Sequence, residues 1–550
     1  MATAGKGLHM SLPNHLLFPP NYDRNKETPM KDFNFIKSLQ IEDMVVLIKE
    51  SHRGFMDLKL ENYFTTNEEV LAYRLEIVSD LVNNPSLYEV FQKSIVLIQN
   101  IHDMRRAMNS DYSVESALSS VRYIETYQEI VDLFAVGFEN VHPTSRGLSA
   151  FRSEILDIYH GEEYCNLREE LSKMEVHFGS LKSVTIGINL DENMQVKEAG
   201  LITVNKKPFH SGTIIEKLLK KNPLDSHALV SPLYPLTKVL HGEELKAFNF
   251  SVQSAMSAVF TKSLKDFEPV LQKYFGVNTA GFTALLDDIR FLTAGVKFIL
   301  EMKEKGFDMC APTIRPMADK YCQLEQVYNP ILARKCIEQT IVSNTFSYDE
   351  NGRFYIVTGP NHGGKSIFAY SIGMAQALFQ LGLFVPAKSA VLSPVTNIYT
   401  HFPSSDENNY GKGRLESECA RLGAIMKKLC DTDLLLMDES FSSTSGLEAG
   451  YIATEVLTGI GIIGCGGIFV THIHDLPQQL DTYNAHPQNK GKIDNLVAQM
   501  ENKESGVRSY KVTRTTPEGL SYAKDIASQY GLDLESIMDR SCEKIMSNKE

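Results

Sequence analysis

The stretch FYIVTGPNHGGKS, residues 354–366, runs from five residues with strand propensity into a turn that is dense in glycine. The segment FAYSIGMAQALFQLGL, which begins at residue 368, has the apolar spacing of a helix. A strand, a glycine loop and a helix therefore follow one another directly. This order predicts an α/β unit with the glycine loop at the end of a strand.

The turn fits the pattern G-x-x-x-x-G-K-[ST]. In this pattern loop N–H groups and the next helix N-terminus bind phosphate, the lysine neutralises β- and γ-phosphate oxygens, and the hydroxyl binds Mg²⁺. A merely flexible turn is the alternative, but the flanking strand and helix favour a phosphate loop. The predicted nucleotide-binding residues are Gly359, Pro360, Asn361, His362, Gly363, Gly364, Lys365 and Ser366.

A phosphate loop predicts an apolar strand ending in an acid further along the chain, and LLLMDE, residues 434–439, supplies it. Asp438 would hold the Mg²⁺ shell, while Glu439 orients or deprotonates the attacking water. The alternative is a buried strand followed by a helix N-cap. Together the two motifs predict an ATPase that uses ATP and Mg²⁺. The predicted metal ligands are Ser366 and Asp438, and the predicted catalytic residues are Lys365 and Glu439.

A third strand, GIFV at residues 467–470, ends in THIHD. A metal-dependent hydrolase is one interpretation, because a His-x-His pair at a strand end can bind zinc or iron. Further ligands at a recognisable spacing are missing from the sequence. The favoured interpretation is that His472 senses the γ-phosphate and acts as a catalytic residue, while His474 and Asp475 could instead cap a helix.

Length, charge and cysteine usage limit the class of protein. A chain of 550 residues predicts several domains. The net charge of −13 argues against a polycation that binds nucleic acid along its whole length. Eight cysteines without a CxxC pair indicate neither a zinc site nor a disulfide framework. The most apolar window, residues 459–470, is too short and glycine-rich to span a bilayer, so we expect a cytoplasmic protein without membrane contact.

Along the chain, residues 32–135 show helical spacing, and residues 183–209 carry strand propensity with a turn. From residue 342 onward strands alternate with helices, which predicts a parallel, doubly wound sheet. The last sixty or so residues are expected to return to helix.

Three motifs in order, GPNHGGKS, LLLMDES with SSTSGLEAG, and FVTHIHDL, resemble the ATPase domain of the MutS family. Upstream, FTTNEEVLAYRLEIVSDLVNNPSLYE resembles the start of the family's helical core, and VYNPILARK with IVSNTFSYDE resembles the strands before its phosphate loop. Downstream, GLSYAKDIASQYGL is similar to its C-terminal dimerisation helices. The resemblance covers about residues 30 to 545 and is specific from about 340 to 530.

The resemblance implies further site residues. It adds Asn344 and Ile367 to the nucleotide-binding set, with Ile367 replacing a second hydroxyl of the family's loop. It also implies a homodimer in which a serine of one chain reaches the partner's γ-phosphate. Gly413 stands at that position here, which leaves Arg414 and Ser417 as the candidates to act in trans.

The resemblance also implies the domain organisation of a short member without the N-terminal mismatch-reading and connector domains. The fold class is multidomain: an all-α helical core or lever with a small β insert, then an α/β P-loop ATPase domain of the ABC type with a C-terminal helical dimerisation segment. The predicted bounds are an N-terminal extension at 1–31, the helical core at 32–320 with a reduced clamp at about 183–212, the ATPase domain at 321–485, and its remainder with the dimerisation region at 486–550.

Two functions remain open at this point. The first is a nucleotide-switched dimeric clamp on DNA that acts on repair or recombination structures with low mismatch specificity. The second is an ATPase acting on a non-DNA partner such as a ribosome or a nucleoprotein complex. Lysines in and after the β insert would contact DNA or form a solvated face: Lys197, Lys206, Lys207, Lys217, Lys220 and Lys221.

Overall fold

The structure is a computed structural model that describes residues 15–20, 22–23, 30–41, 43, 59–107, 114–178, 183–193, 196–205, 274, 279–335, 341–403, 413–502, 507–515, 530–534 and 536–538. The helices are α1 (Asn34–Ser38), α2 (Glu68–Asn83), α3 (Pro85–Ala107), α4 (Val114–Glu139), α5 (Arg146–His160), α6 (Glu162–Phe178), α7 (Ala280–Glu304), α8 (Pro330–Lys335), α9 (Lys365–Gln380), α10 (Arg414–Met426), α11 (Gly446–Ile463) and α12 (Leu480–Asn484). The strands are β1 (Ser183–Leu190), β2 (Val196–Asn205), β3 (Thr313–Ile314), β4 (Cys322–Val327), β5 (Asn344–Ser347), β6 (Phe354–Thr358), β7 (Ser389–Leu392), β8 (Ile398–His401), β9 (Leu434–Asp438), β10 (Gly466–Val470), β11 (Ile493–Asn502) and β12 (Val507–Thr513).

The chain divides into two compact units. The first comprises residues 1–15, 89–142 and 149–289. The second comprises residues 16–88, 143–148 and 290–550. The second unit therefore combines the phosphate-loop segment with residues close to the N-terminus, and the domain bounds given above stay a prediction.

Aromatic side chains form the core of the first unit. The ring of Phe134 on α4 meets Phe91 at 5.4 Å and Phe151 at 5.0 Å between centroids, edge to face in both cases. Phe282 stacks on Phe134 at 6.3 Å. All four rings are fully buried. Burial of each side chain contributes about 2–3 kcal/mol, so these contacts stabilise the helical packing.

The strand-rich stretch in the first unit forms an antiparallel hairpin of β1 and β2, with Gly187 opposite Gly200. Ile188 and Ile202 are exposed on it, and so is Lys197. The other lysines of the proposed DNA-contacting set, together with residues 206–212 of the predicted insert, lie outside the described residues.

A six-stranded sheet organises the second unit, in the order β12-β11-β6-β10-β9-β8. Every neighbouring pair from β11 to β8 is parallel, and β12 runs antiparallel to β11 at the edge. Every residue of β6, β9 and β10 is buried. Fully buried short apolar strands are typical of a parallel sheet covered on both faces. A smaller four-stranded sheet has the order β3-β7-β4-β5.

The expectation of helix over the last sixty or so residues is wrong at residues 493–502 and 507–513, which form β11 and β12. The physical reason is tertiary. Strand β6 needs a hydrogen-bonding partner on its outer side, and β11 supplies that partner from Ile493 to Val497. Pairing of this kind overrides local sequence preference. Most of the predicted dimerisation segment, residues 516–529, lies outside the described residues.

Successive strand residues point to opposite faces of this sheet, so both faces carry apolar side chains, and helices cover each face. Leu435 belongs to an apolar cluster with Ala453 and Leu457 of α11. On the other face, Leu436 approaches α9 so closely that a Cβ at Gly373 would lie 2.4 Å from its Cδ1. Among the described helices only α11 is long and apolar enough to cross a membrane, a property shared by core helices of soluble proteins.

The register of the sheet brings three strand ends together. Val470 of β10 lies opposite Asp438 of β9 and opposite Val357 of β6. Carboxyl ends of parallel strands meet at one edge, where open α/β sheets bind ligands. The glycine loop, the acidic pair and the histidine motif therefore start from neighbouring points.

Arg74 on α2 forms hydrogen bonds with backbone segments of the second unit that are far apart in the chain. Its side chain is 1% exposed. Nε donates to Leu17 O at 3.1 Å, Nη1 donates to Tyr63 O, and Nη1 lies 3.5 Å from Leu381 O. The guanidinium also lies over the ring of Phe18 at 4.9 Å. One side chain thus joins the start of the unit to the turn after α9.

The Arg74→Met substitution should lower the free energy of unfolding of the second unit by about 3 kcal/mol, because buried carbonyl groups lose their donor. Chemical denaturation followed by circular dichroism measures this change. The matched control is Arg146→Met. Arg146 is 52% exposed and pairs with Glu76 at 3.1 Å, and an exposed pair contributes at most about 1 kcal/mol. Equal losses in the two variants would contradict the role given to Arg74.

Candidate nucleotide-binding site

Glycines shape the turn between β6 and α9. Gly359 has a φ of +132°, and a Cβ there would lie 2.8 Å from Ala498 O. Gly364, at the N-terminus of α9, has a φ of +85°. Side chains rarely tolerate either conformation, so glycine is strongly favoured at both positions. A turn of this shape before a helix presents N–H groups to an anion such as phosphate.

Lys365 is the first residue of α9 and is 5% exposed. Its Nζ donates to Gly359 O at 3.0 Å and to Pro360 O at 2.9 Å. Burial lowers the pKa of this ammonium to about 8, while the charges of Glu439 and Asp438 act in the opposite direction. A buried cation is thus held against the backbone of the predicted phosphate loop.

Asp438, the last residue of β9, accepts two hydroxyl hydrogen bonds from α9. Ser366 Oγ donates to its Oδ1 at 2.9 Å, and Tyr370 Oη donates to its Oδ2 at 3.0 Å. Burial raises the pKa of the Asp438 carboxyl, whereas the two donors lower it. Ser366 and Asp438 are therefore adjacent, as predicted for two ligands of one ion. Sequence reasoning missed Tyr370, although its i+4 spacing from Ser366 places both hydroxyls on one helix face.

Glu439 follows Asp438 with a φ of +47°. Its N–H donates to Val470 O at 2.9 Å, which holds the backbone against β10. His472 Nε2 lies 2.9 Å from Glu439 Oε1, and both side chains are about two-fifths exposed. The structure thus brings the two predicted catalytic side chains into direct contact on the solvent-facing side of the strand ends.

A cavity of about 770 Å³ opens at these strand ends. Most of the predicted nucleotide-binding residues line it: Asn344, Asn361, His362, Gly363, Gly364, Lys365, Ser366 and Ile367. Gly359 and Pro360 are not among its lining residues, whereas Glu439 and His472 are. Its size is within the range of small-molecule sites.

Tyr510 on β12 also lines the cavity, and sequence reasoning missed it. A Cβ on Gly364 would lie 3.4 Å from the Tyr510 ring, which is therefore beside the loop. No local motif marks this residue. Only the pairing of β12 with β11 carries it to the cavity, so the sequence alone offers no signal for it.

Asn344 was predicted to bind nucleotide, and its side chain has backbone partners. Nδ2 donates to Tyr510 O at 3.1 Å, and Oδ1 accepts from Val512 N at 2.8 Å. The amide thus fixes the strand segment that carries Tyr510. Direct contact of Asn344 with a nucleotide stays a prediction.

The two candidates for action in trans lie at the start of α10, away from the residues that line the cavity. Gly413 is the N-cap of this helix, and Ser417 N donates to Gly413 O at 3.1 Å. Arg414 Nε lies 3.6 Å from Glu418 Oε1, with 57% of the arginine side chain exposed. Within its own chain, Arg414 therefore pairs with an acid of its own helix.

The rival interpretation as a metal-dependent hydrolase depends on His472 and His474. His472 is hydrogen-bonded to Glu439, and His474 is half-buried, which together with the neighbouring His472 lowers its pKa. Across the described parts of the chain no group of three or more His, Cys, Asp or Glu side chains could hold a metal. The histidine motif therefore does not assemble the ligand set that such a hydrolase requires.

The residues present do fit a nucleotide with Mg²⁺. The turn has left-handed backbone conformations at Gly359 and Gly364, and the buried Lys365 is hydrogen-bonded to its carbonyl groups. Ser366 and Asp438 offer a hydroxyl and a carboxylate oxygen, the hard donors that Mg²⁺ prefers when phosphate and water complete its shell.

Comparisons with known proteins agree with this geometry. Residues 355–547 match the family MutS domain V, and residues 66–305 match the family MutS2 N-terminal domain. Among curated relatives, the DNA mismatch repair protein MutS of Prochlorococcus marinus (strain AS9601) is 30% identical over 212 residues, which is 36% of this chain and 23% of that protein. The protein of the same name from Synechococcus sp. (strain CC9605) is 31% identical over 170 residues, 30% of this chain and 18% of that protein.

The chain thus spans less than a quarter of the length of these relatives. The match to the MutS2 N-terminal domain covers the helical part of the chain. The match to MutS domain V covers the part that carries the glycine loop, the acidic strand and the histidine motif. The protein is a member of the MutS family.

Proposed function

We propose that the protein binds and hydrolyses ATP with Mg²⁺ and acts as a nucleotide-switched dimeric clamp on DNA. One observation carries the proposal. At the carboxyl ends of β6, β9 and β10, Lys365, Ser366, Glu439 and His472 line one cavity, and Asp438 is hydrogen-bonded to Ser366. A phosphate loop, a metal-ligand pair and an acid beside a histidine are the parts that ATP hydrolysis requires. The α/β unit is accordingly proposed to be an ABC-type P-loop ATPase domain.

Each side chain has a distinct role in this proposal. Lys365 neutralises phosphate oxygens, and Ser366 and Asp438 hold Mg²⁺, which would stabilise charge on the transferring phosphoryl group. Glu439 accepts the proton of the attacking water or orients it. His472, hydrogen-bonded to Glu439, fixes that carboxylate and contacts the γ-phosphate. Tyr510 and Asn344 complete the wall of the cavity.

We propose a cytoplasmic homodimer whose two ATPase sites each receive a group from the partner chain. The candidates are Arg414 and Ser417 at the exposed start of α10. An arginine suits this role because its planar donors match phosphate oxygens better than a lysine does.

The DNA assignment is supported by the names of the relatives, which are DNA mismatch repair proteins. Nothing in these comparisons favours the non-DNA partner. The likeness covers only 18–23% of those two proteins, so their activity on mismatches is not carried over to this chain. We propose branched or damaged DNA as the substrate, bound through phosphate contacts.

Wild-type protein should hydrolyse ATP in the presence of Mg²⁺, and Glu439→Gln should reduce kcat by about 100-fold or more while ATP still binds. The reason is that the amide cannot accept a proton, whereas the loop and the metal ligands are unchanged. Lys365→Ala should instead weaken nucleotide binding. Phosphate release and fluorescent-nucleotide titration measure the two quantities. Equal turnover by wild type and Glu439→Gln would refute the assignment.

Action in trans predicts complementation. Arg414→Ala and Lys365→Ala chains should each be nearly inactive, and mixing them in equal amounts should restore about a quarter of wild-type activity, because about half of the dimers are then heterodimers in which one of two sites pairs an intact lysine with an intact arginine. Steady-state hydrolysis after subunit exchange is the readout. Heterodimers that form but stay inactive would exclude Arg414 as the partner's group.

Junction DNA should stimulate hydrolysis, and a G·T heteroduplex should bind within about threefold of its matched duplex, because phosphate contacts carry no base information. Gel shifts over a salt series measure both affinity and the number of phosphate contacts. A large preference for the heteroduplex would show that the protein reads mismatches directly.

A further inference from the structure

The turn that carries Glu439 has two residues with strained backbone conformations, one before and one after Ser440. Glu439 has a φ of +47° and Phe441 a φ of +68°, with Ser440 between them. A residue other than glycine held in this region costs about 1–3 kcal/mol and persists only where neighbouring groups hold it. The contacts around residues 439–441 therefore decide where the Glu439 carboxylate stands.

Glu418 on α10 supplies the first of these contacts. It is a buried acid, 5% exposed. Its Oε2 accepts from the backbone N–H of Phe441 at 2.9 Å. Its Oε1 lies 3.6 Å from Arg414 Nε, one helical turn earlier. A charge-assisted bond to a buried N–H is stronger than a neutral one, so the carboxylate holds Phe441 firmly in its conformation.

His401 at the end of β8 supplies the second contact, also through Glu418. Its Nε2 lies 3.2 Å from the backbone carbonyl of Glu418, and its Nδ1 lies 2.6 Å from Ser440 Oγ. Burial, and then the charge of Arg421, lowers the pKa of His401 to about 4, so the ring is neutral. A carbonyl can only accept, so Nε2 carries the proton and Ser440 Oγ donates to Nδ1.

We propose that Glu418 is a positioning residue for Glu439, acting on Phe441 through its side chain and on Ser440 through its backbone and His401. This inference rests on the proposed ATPase function. The first turn of α10 also carries Arg414 and Ser417, so the segment offered to the partner chain is tied to the turn that carries the general base. Apart from Glu439, the residues that line the nucleotide cavity belong neither to α10 nor to this turn, and loss of the Glu418 contact changes the rate of hydrolysis and leaves ATP affinity intact.

Two conservative variants of Glu418 separate the effect of side-chain length from the effect of negative charge. Glu418→Asp keeps the charge but withdraws the carboxylate from Phe441 N–H by one methylene, whereas Glu418→Gln keeps an oxygen within reach. We expect kcat to fall about 10- to 100-fold in Glu418→Asp, with the ATP dissociation constant within about threefold of wild type. Glu418→Gln should recover at least about half of the loss on a logarithmic scale.

The matched controls are Glu416→Asp and Glu416→Gln. Glu416 is an exposed acid in the same first turn of α10, and both changes should leave kcat and ATP affinity within about twofold of wild type. Should Glu418→Asp fail to fold, Ser440→Ala tests the second contact and carries the same expectation of reduced kcat at unchanged ATP affinity. Thermal melting checks folding of every variant.

The outcomes distinguish the two levels of the proposal. Wild type and Glu439→Gln with equal turnover overturn the ATPase assignment itself. With that assignment intact, wild-type kcat in a folded Glu418→Asp, or in Ser440→Ala where Asp does not fold, overturns the positioning role alone. A parallel loss of ATP affinity and kcat, without recovery in Glu418→Gln, marks Glu418 as merely structural and overturns it as well.

Discussion

The site depends on the hydrogen bonds that the buried carboxylate of Asp438 accepts. This carboxylate joins the helix that follows the glycine loop to the strand that ends in Glu439, through the hydroxyl groups of Ser366 and Tyr370. A buried carboxylate is unfavourable unless hydrogen bonds and nearby positive charge compensate for lost hydration. Here burial, the largest effect, and the charge of Glu439 raise the pKa of the Asp438 carboxyl, whereas the two donors and Lys365 favour its ionised form. Ser366, Tyr370 and Lys365 all belong to α9. Their interactions with Asp438 therefore fix the position of the glycine loop relative to the end of β9.

The strand ends concentrate strain where chemistry is proposed. Parallel pairing fixes Asp438 opposite Val470, and the chain then turns through two left-handed residues, Glu439 and Phe441. Such conformations persist at functional sites because packed neighbours hold them. A more relaxed turn would gain stability but would direct Glu439 elsewhere. Glu418 and His401, through their buried contacts, are the neighbours that hold this turn.

The sequence predicts the parts of this site that are contiguous in the chain. The loop, the acidic pair and the histidine motif each carry their chemistry within a few residues, and alternation of strands and helices predicts how parallel strands bring them together. The structure brings Lys365, Ser366, Asp438, Glu439 and His472, all named from the sequence, to neighbouring strand ends, and their roles stay predictions. Tyr370 was within reach of the same reasoning, because helical spacing alone aligns it with Ser366.

The remaining features depend on contacts that no local pattern encodes. Glu418 meets Phe441 across 23 residues, and Asn344 meets Val512 across 168. The strands β11 and β12 were expected to be helix, because the pairing of β11 with β6 and of β12 with β11 is decided by the sheet and not by local propensity. Tyr510 reaches the cavity only through that pairing, so the error in secondary structure concealed a residue of the site.

Electrostatics at the cavity favour an anionic ligand. Lys365 is a buried cation whose pKa of about 8 reflects lost hydration, and its Nζ is bound to two carbonyl oxygens of the loop. Carbonyl dipoles stabilise an ammonium less than a phosphate anion does, because the anion carries full charge. In the proposed function, binding of a triphosphate would give Lys365 a better partner and favour its charged form. In the proposed function, Lys365 would then face the phosphate group that a water activated by Glu439 attacks.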